Sequence, residues 1–542
     1  MSGDSGRMTP RRGARNRPRR PGASPCRIAL VVGLGLALTA ATVARAGGEP
    51  QPTARANLNA ARTEQRVFAG HLLRRLGFGP NRREVHALLH VGAAAYLEQQ
   101  LNPQSIDDRL GERRFHPPPQ PGDDGDVWQL RWLTRMAYSR RQLQEKMTLL
   151  WHEHFAVSNG KVGAFTLMRD YEQFLREHAL GKFRDLLTGI TRDNAMLFYL
   201  DNAYNDGQAF DDDGNRIAPN ENFARELMQL FSLGVNRLNM DGTLVLGTDG
   251  KPLPAYTEDD VKAVARALTG WQPHYPEGDG DEDPNAVIAP AEFADYAHDP
   301  DAKVILGETI PAAAVGGAFD VERVVAILTH QPTMAPFIAK ILIQKLATET
   351  PTPGYVARVA TVFAATDGDL RAVVRAIVTD AEFTSPAVLR TQYKEPIEHM
   401  VGAVRGLEAG GAGHTLYYWT MLTGQLVYYP PTVFSFYRPG QKGSLVNAAY
   451  VATRDAGTDM LANGYTDDYF DATWDARGMI SRQRLAGRPA VAVDLLARDL
   501  LAAPLDDGTR QVVLDYLGPR VTEEKLRGAA WLILCSPANQ VN

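Results

Sequence analysis

From residue 60 onward, apolar residues recur at three- and four-residue spacing, and strand-like alternation is scarce. A chain patterned this way can bury its apolar groups as helices but not as sheets, because the two structures place side chains at different periods. The clearest segment is YTEDDVKAVARALTG. Thr257-Glu258-Asp259-Asp260 reads as a capping box with acids in the first turn, Val261, Val264, Ala265 and Leu268 form the apolar stripe, and Gly270 stops the helix. Further on, Val356, Val359 and Phe363 line one helix and Leu370, Val373, Val374, Ile377 and Val378 the next. Thr366-Asp367-Gly368-Asp369 is the turn of this helical hairpin. The expected fold class is therefore all-α, mainly helical and bundle-like. Two stretches break the pattern. Asn239 to Lys251 sets Asp-Gly turns around a short β-prone run, which predicts a small inserted β-hairpin near residues 239–256. Gln272 to Pro300 is rich in Pro, Gly and acids and reads as a surface excursion, either a plain connection or a lid.

Residues 1–46 stand apart from this pattern. MSGDSGRMTPRRGARNRPRRPGASPCR carries eight arginines and one acid, IALVVGLGLALTAATVA is apolar, and Ala44-Arg45-Ala46 is a small-x-small cleavage site. That order describes a secretory signal peptide. The alternative, an amino-terminal anchor, fits less well because the run is short for a membrane span and contains Gly33, Gly35 and two threonines. Pro21 and Gly22 follow Arg19-Arg20 where a twin-arginine signal wants a polar and then an apolar residue, so general secretion is expected. The chain then divides into a signal peptide over 1–46, a linker over 47–64 and one large helical domain over 65–542, with a candidate sub-boundary near 405–415. Its expected address is periplasmic or extracellular.

Cleavage takes nine Arg and one Asp from the 58 basic and 63 acidic residues, leaving 49 and 62 and a formal charge of −13 in place of −5. No basic run survives after Arg45, which argues against nucleic acid as a partner. No integral membrane segment is expected after cleavage. Cys26 leaves with the signal and Cys535 stands alone, so no internal disulfide can form and stability must come from a hydrophobic core.

Seven segments, in order, resemble one family: HLLRRLGFGP from His71, LLWHEHFAVS from Leu149, FYLDN from Phe198, NENFARELMQLFSLGV from Asn220, YTEDDVKAVARALTGW from Tyr256, HDPDAKVILG from His298 and KEPIEHMVGAVRGL from Lys394. The chain is similar to the exported bacterial proteins grouped as the domain of unknown function 1800 family, from about residue 65 to near the carboxyl terminus. That family has no agreed catalytic residues to transfer. The resemblance implies an exported protein partner, because genes of the family often neighbour those of another exported family. Where members often read WHNHF this chain has Glu153, and YYPPTVFSFYRPGQKG is a variant of the carboxyl-terminal motif.

Candidate chemistry begins in WHEHFAVSNGK, from Trp151. It is not the zinc-protease motif, which needs a second histidine four residues after the first, where this chain has Ala156. In a continuous helix His152 and His154 point about 200° apart. An extended turn after Trp151 would bring both to one side as ligands or acid–base groups; otherwise they are hydrogen-bonded structural residues. In NENFAREL, Glu221 with Arg225 and Asn222 with Glu226 are i, i+4 pairs, which suit either a solvated face or a polar cleft built by Glu226 and Arg225. His298-Asp299 is a further dyad. Asp211-Asp212-Asp213-Gly214-Asn215 lacks the glycine position and final acid of a calcium loop and reads as a turn. No dinucleotide fingerprint, phosphate loop or Gly-x-Ser-x-Gly elbow occurs. Two function classes follow. One is an envelope or extracellular binding or assembly partner. The other is a metal-dependent hydrolase in which a divalent metal is held by His152, His154 and His298, with Glu226 as base and Arg225 beside it. Exported protein is expected to begin after Ala46, and intact-mass analysis of the secreted fraction checks it.

Overall fold

The computed structural model describes residues 52–542 apart from 121–122, 277–282, 314–315, 438–440, 446 and 468–469. The signal-like segment through Ala46 lies outside the described residues. Among the described residues there are 24 α-helices and two antiparallel sheets of two strands each. The all-α reading holds. Residues 48–542 group as one compact unit. The first described helix, Pro52–Arg75, starts inside the stretch expected to be linker. Its opening residues, PTARANLNAAR, hold four alanines, the strongest helix former, and that propensity explains the early start. No helix among the described residues is long and apolar enough to cross a membrane.

The Pro396–Gly406 helix sits deepest, with every one of its residues buried. Pro396 supplies a preset first turn, and Glu395 and Glu398 close a capping box in which each carboxylate accepts from the other's backbone N–H. Gly402 and Gly406 let neighbours approach: a Cβ on Gly402 would stand 3.0 Å from the Phe78 carbonyl, and one on Gly406 would stand 2.9 Å from Leu500. Arg405 leaves the same helix to donate to the Gly79 and Ala137 carbonyls, at 3.0 and 2.8 Å, and to Glu84.

Two more helices frame the site. Gln142–Phe155 buries the expected stripe of Leu143, Met147, Leu150 and Trp151, and it also buries Glu145, Lys146, His152 and Glu153 on its other sides. It stays helical through Phe155 and ends on Ala156 in the left-handed conformation, whose N–H bonds the His152 carbonyl. Met334–Leu346 is apolar nearly all round and carries Lys340 and Lys345. The expected helical hairpin is Pro353–Ala365 followed by Leu370–Thr379.

The inserted hairpin expected near 239–256 is present and gains a third run. Asp241 and Asp249 each accept from the backbone two residues on, with Gly242 and Gly250 at positive φ, making the two turns. Val245 donates to the Arg237 carbonyl, Leu253 to Val245 and Arg237 to Leu253, all at 2.9 Å. The three runs thus close on one another in a ring. The excursion from Gln272 pairs Trp271–Gln272 with Glu292–Phe293, and Lys303–Ile305 pairs with Glu308–Ile310.

The Thr257 capping box forms as expected, and Asp260 also accepts from the Leu306 N–H at 2.6 Å, tying the Glu258–Ala267 helix to the Lys303–Ile310 turn. Thr257→Ala is expected to cost about 1 kcal/mol, read as a lower urea midpoint with an unchanged circular dichroism spectrum.

Candidate functional site

The residues singled out from sequence fall in separate places. His152 is buried, and its Nε2 accepts from the Tyr428 N–H at 3.1 Å while the ring packs edge-on to Trp132. Burial pulls its pKa down to about 3, so the ring is neutral. His154, half-buried, donates from Nε2 to the Phe231 carbonyl at 3.1 Å, and burial pulls its pKa to about 4. The extended turn that would bring these two rings to one side does not form, because the helix continues through Phe155. His298 lies against other partners altogether: Nδ1 is 3.0 Å from the Thr269 carbonyl, and Nε2 is 3.3 Å from both Lys303 Nζ and Asp320 Oδ2. No group of three or more His, Cys, Asp or Glu among the described residues is arranged to hold a metal ion.

In the NENFAREL segment, Arg225 pairs with Glu221 at 3.1 Å and makes a bidentate bridge to Glu258 at 2.9 and 2.8 Å. The carboxylates hold its guanidinium above its usual pKa. Asn222 donates to Asp201 at 2.9 Å rather than to Glu226. Glu226 is half-buried, burial raises its pKa, and its buried Oε2 has no hydrogen-bond partner among the described residues. Asp211 accepts from the Asp213 and Asn215 N–H groups, the turn expected there.

Glu153, between the two histidines, is where the chain's ionisable groups converge. Its Oε2 is 2.5 Å from Lys345 Nζ and its Oε1 accepts from Gln425 at 2.7 Å. The same Gln425 nitrogen is 2.9 Å from Glu395, which pairs with Lys442 at 2.7 Å and stands 3.8 Å from Lys345. Lys345 also donates to the Tyr437 hydroxyl at 2.7 Å. Beyond Glu395, Glu398 pairs with Lys146. Two neighbouring carboxyls thus meet opposite fates. Burial, and then the charge of Glu395, push Glu153 up to about 7 against the pull of Lys345. Burial acts on Glu395 as well, but Lys442 and Lys345 together hold it well below the usual carboxylate range.

Glu153, Lys345 and Tyr437 of this cluster form the floor of a cavity of about 600 Å³. Glu153, His154, Lys345 and Tyr437 reach it from below, Phe337, Lys340 and Ile341 line one wall, and Val235, Leu238 and Leu244 of the three-run turn line another. Val235, Leu244 and Phe434 are exposed at its mouth. The floor is charged and the mouth is apolar.

A family model described as Protein of unknown function (DUF1800) matches residues 71–541. The chain belongs to that family. No curated protein and no solved structure matches it. Within this DUF1800 chain two segments that carry the resemblance meet the variant carboxyl-terminal motif in space: LLWHEHFAVS supplies Glu153, KEPIEHM supplies Glu395 and Glu398, and FYRPGQKG supplies Tyr437 and Lys442. Sequence reasoning passed over Glu153, Lys345, Glu395, Lys442 and Tyr437. A signal was available in IAKILIQKL and KEPIEHMVGAV, where charged residues sit in helices with no polar face to receive them.

Glu153 takes up its proton in the folded chain at higher pH than in the unfolded one. Its contribution to stability is full below about 4.5, falls as pH rises to about 7, and is flat above. The unfolding free energy of the wild type less that of Glu153→Gln is therefore expected to decline across that window, as measured by denaturant titration at a series of pH values.

Proposed function

We propose that the protein is exported and binds an amphipathic anion, a molecule with an apolar body and one negatively charged end, in the cavity above Glu153. The arginine-rich start, the apolar run and Ala44-Arg45-Ala46 support export. The observation that carries the ligand class is the charge of the lining. Two lysines, Lys340 and Lys345, share the lining with one carboxyl, Glu153, whose pKa burial raises to about 7, and Lys340 has no ion pair among the described residues. The apolar mouth would bury the ligand's body, at about 25 cal/mol for each Å² removed from water. The charged end would reach the lysines. Mostly apolar walls with a few convergent polar groups are the usual make-up of a small-molecule site. The exposed apolar rim also suits an exported protein partner that delivers or receives the ligand.

A second reading rests on the split between Glu153 and Glu395, one carboxyl near neutrality beside one held ionised, which is a pattern that suits general acid–base chemistry. Ligand recovered unchanged after long incubation separates binding from turnover.

Titration calorimetry with straight-chain carboxylates of eight to twelve carbons and the matching alcohols tests the proposal. The carboxylates are expected to bind more tightly, and Lys340→Gln to weaken them by about tenfold while leaving the alcohols unchanged. Equal affinity for acids and alcohols, or no binding of either, would remove the charged floor from the account.

A further inference from the structure

A second group of buried polar side chains lies where the Pro396–Gly406 helix packs against the Ala448–Asn463 helix. Arg454 and His399 are each 0 % exposed. The Nε, Nη1 and Nη2 of Arg454 and both ring nitrogens of His399 have no hydrogen-bond partner among the described residues. Two further basic side chains, Lys394 and Arg74, are buried, and burial pulls the Lys394 pKa down to about 7. Lys394, 4 % exposed, donates to Asn539 Oδ1 at 2.6 Å, and Arg74 donates one nitrogen to the Leu501 carbonyl at 2.8 Å, leaving Nε and Nη2 without partners.

A guanidinium cannot shed its proton inside a protein, so burial does not neutralise it. An isolated charge removed from water must therefore be paired. The carboxylates within reach are already engaged: Glu398 bonds Lys146 and the Asn542 side chain, and Glu395 bonds Lys442 and Gln425. Asp455, next to Arg454 on the helix, acts on it through its charge, as Glu398 and Glu395 do, but its side chain bonds the Cys535 thiol and makes no hydrogen bond to the guanidinium. His399 is kept neutral by burial and by the charges of Lys394 and Arg454, which leaves its ring one N–H donor to offer.

We propose that Arg454 and His399, with Lys394 beside them, hold a buried monovalent anion of chloride size between the two helices. The complete burial of both side chains argues against an organic ligand that would have to reach solvent. A dianion such as sulfate would set two negative charges near Glu398 and Glu395, whereas a halide brings one negative charge to a guanidinium that no carboxylate meets with a hydrogen bond. Arg454, His399 and Lys394 do not line the cavity above Glu153, and the outcome for either proposal leaves the other standing.

The full mature chain supplies the test. Crystals grown in sodium bromide are expected to show an anomalous peak beside the Arg454 guanidinium. Thermal unfolding in sodium chloride is expected to lie on the order of 2 °C above that in sodium gluconate at equal ionic strength. Arg454→Met should abolish the difference. Absence of the bromide peak would mean that water alone fills the site and overturns the proposal, and this result needs no variant to fold. A chloride effect that persists undiminished in Arg454→Met would place the anion elsewhere and overturn it equally.

Discussion

A helix with no face on solvent cannot leave its ionisable groups to water, and the Pro396–Gly406 helix is one. Glu395 and Glu398 close its first turn, so the charges that cap it are also the charges that must be paired inside the protein. Lys146 comes from the Gln142–Phe155 helix, Lys345 from Met334–Leu346 and Lys442 from the carboxyl-terminal third of the chain. Breaking a buried pair by removing one partner typically costs about 3–5 kcal/mol, against about 0–1 kcal/mol for an exposed one. The elements that supply the lysines are therefore held to the central helix by more than apolar contact.

The same constraint creates the asymmetry at the cavity floor. Lys442 and Lys345 both act on Glu395, whereas Glu153 has Lys345 alone at close range and feels Glu395 as a repelling neighbour. One carboxyl is thereby fixed as an anion and the other is left able to exchange a proton near neutral pH. Neither side chain is unusual by itself. Their difference arises from which cations the surrounding helices deliver.

Much of the fold was legible because local and tertiary demands agree. Thr257 caps where a Thr-x-x-Asp pattern says it will, and the Asp367-Gly368 turn separates two stripes that face a common core. The helix end at Trp151 was harder. Val157 to Gly160 looks like a terminus, but the chain holds its helix through Phe155 and turns on Ala156, a residue with no sequence mark for positive φ. Asn222 shows a different limit. Helical spacing offers it Glu226, while the fold brings Asp201 from 21 positions away. Glu153 was hidden for a third reason. In a helix buried on all sides, a charged residue looks in sequence like part of a solvated face, and only the arrival of Lys345 and Gln425 from remote segments shows otherwise.

The turn at the mouth of the cavity carries exposed apolar side chains, among them Val235, Leu244 and Leu246, on short extended runs. In an ordinary hairpin such runs would end in an open edge of unpaired N–H and C=O groups, a template on which another chain can add a strand. Here Arg237, Val245 and Leu253 each give their N–H to the next run and receive from the one before, so these central backbone groups are used up internally. The rim can present greasy side chains to a ligand while offering little backbone for another molecule to pair with. Stickiness is confined to the side chains, and the segment is built against growing into a fibre.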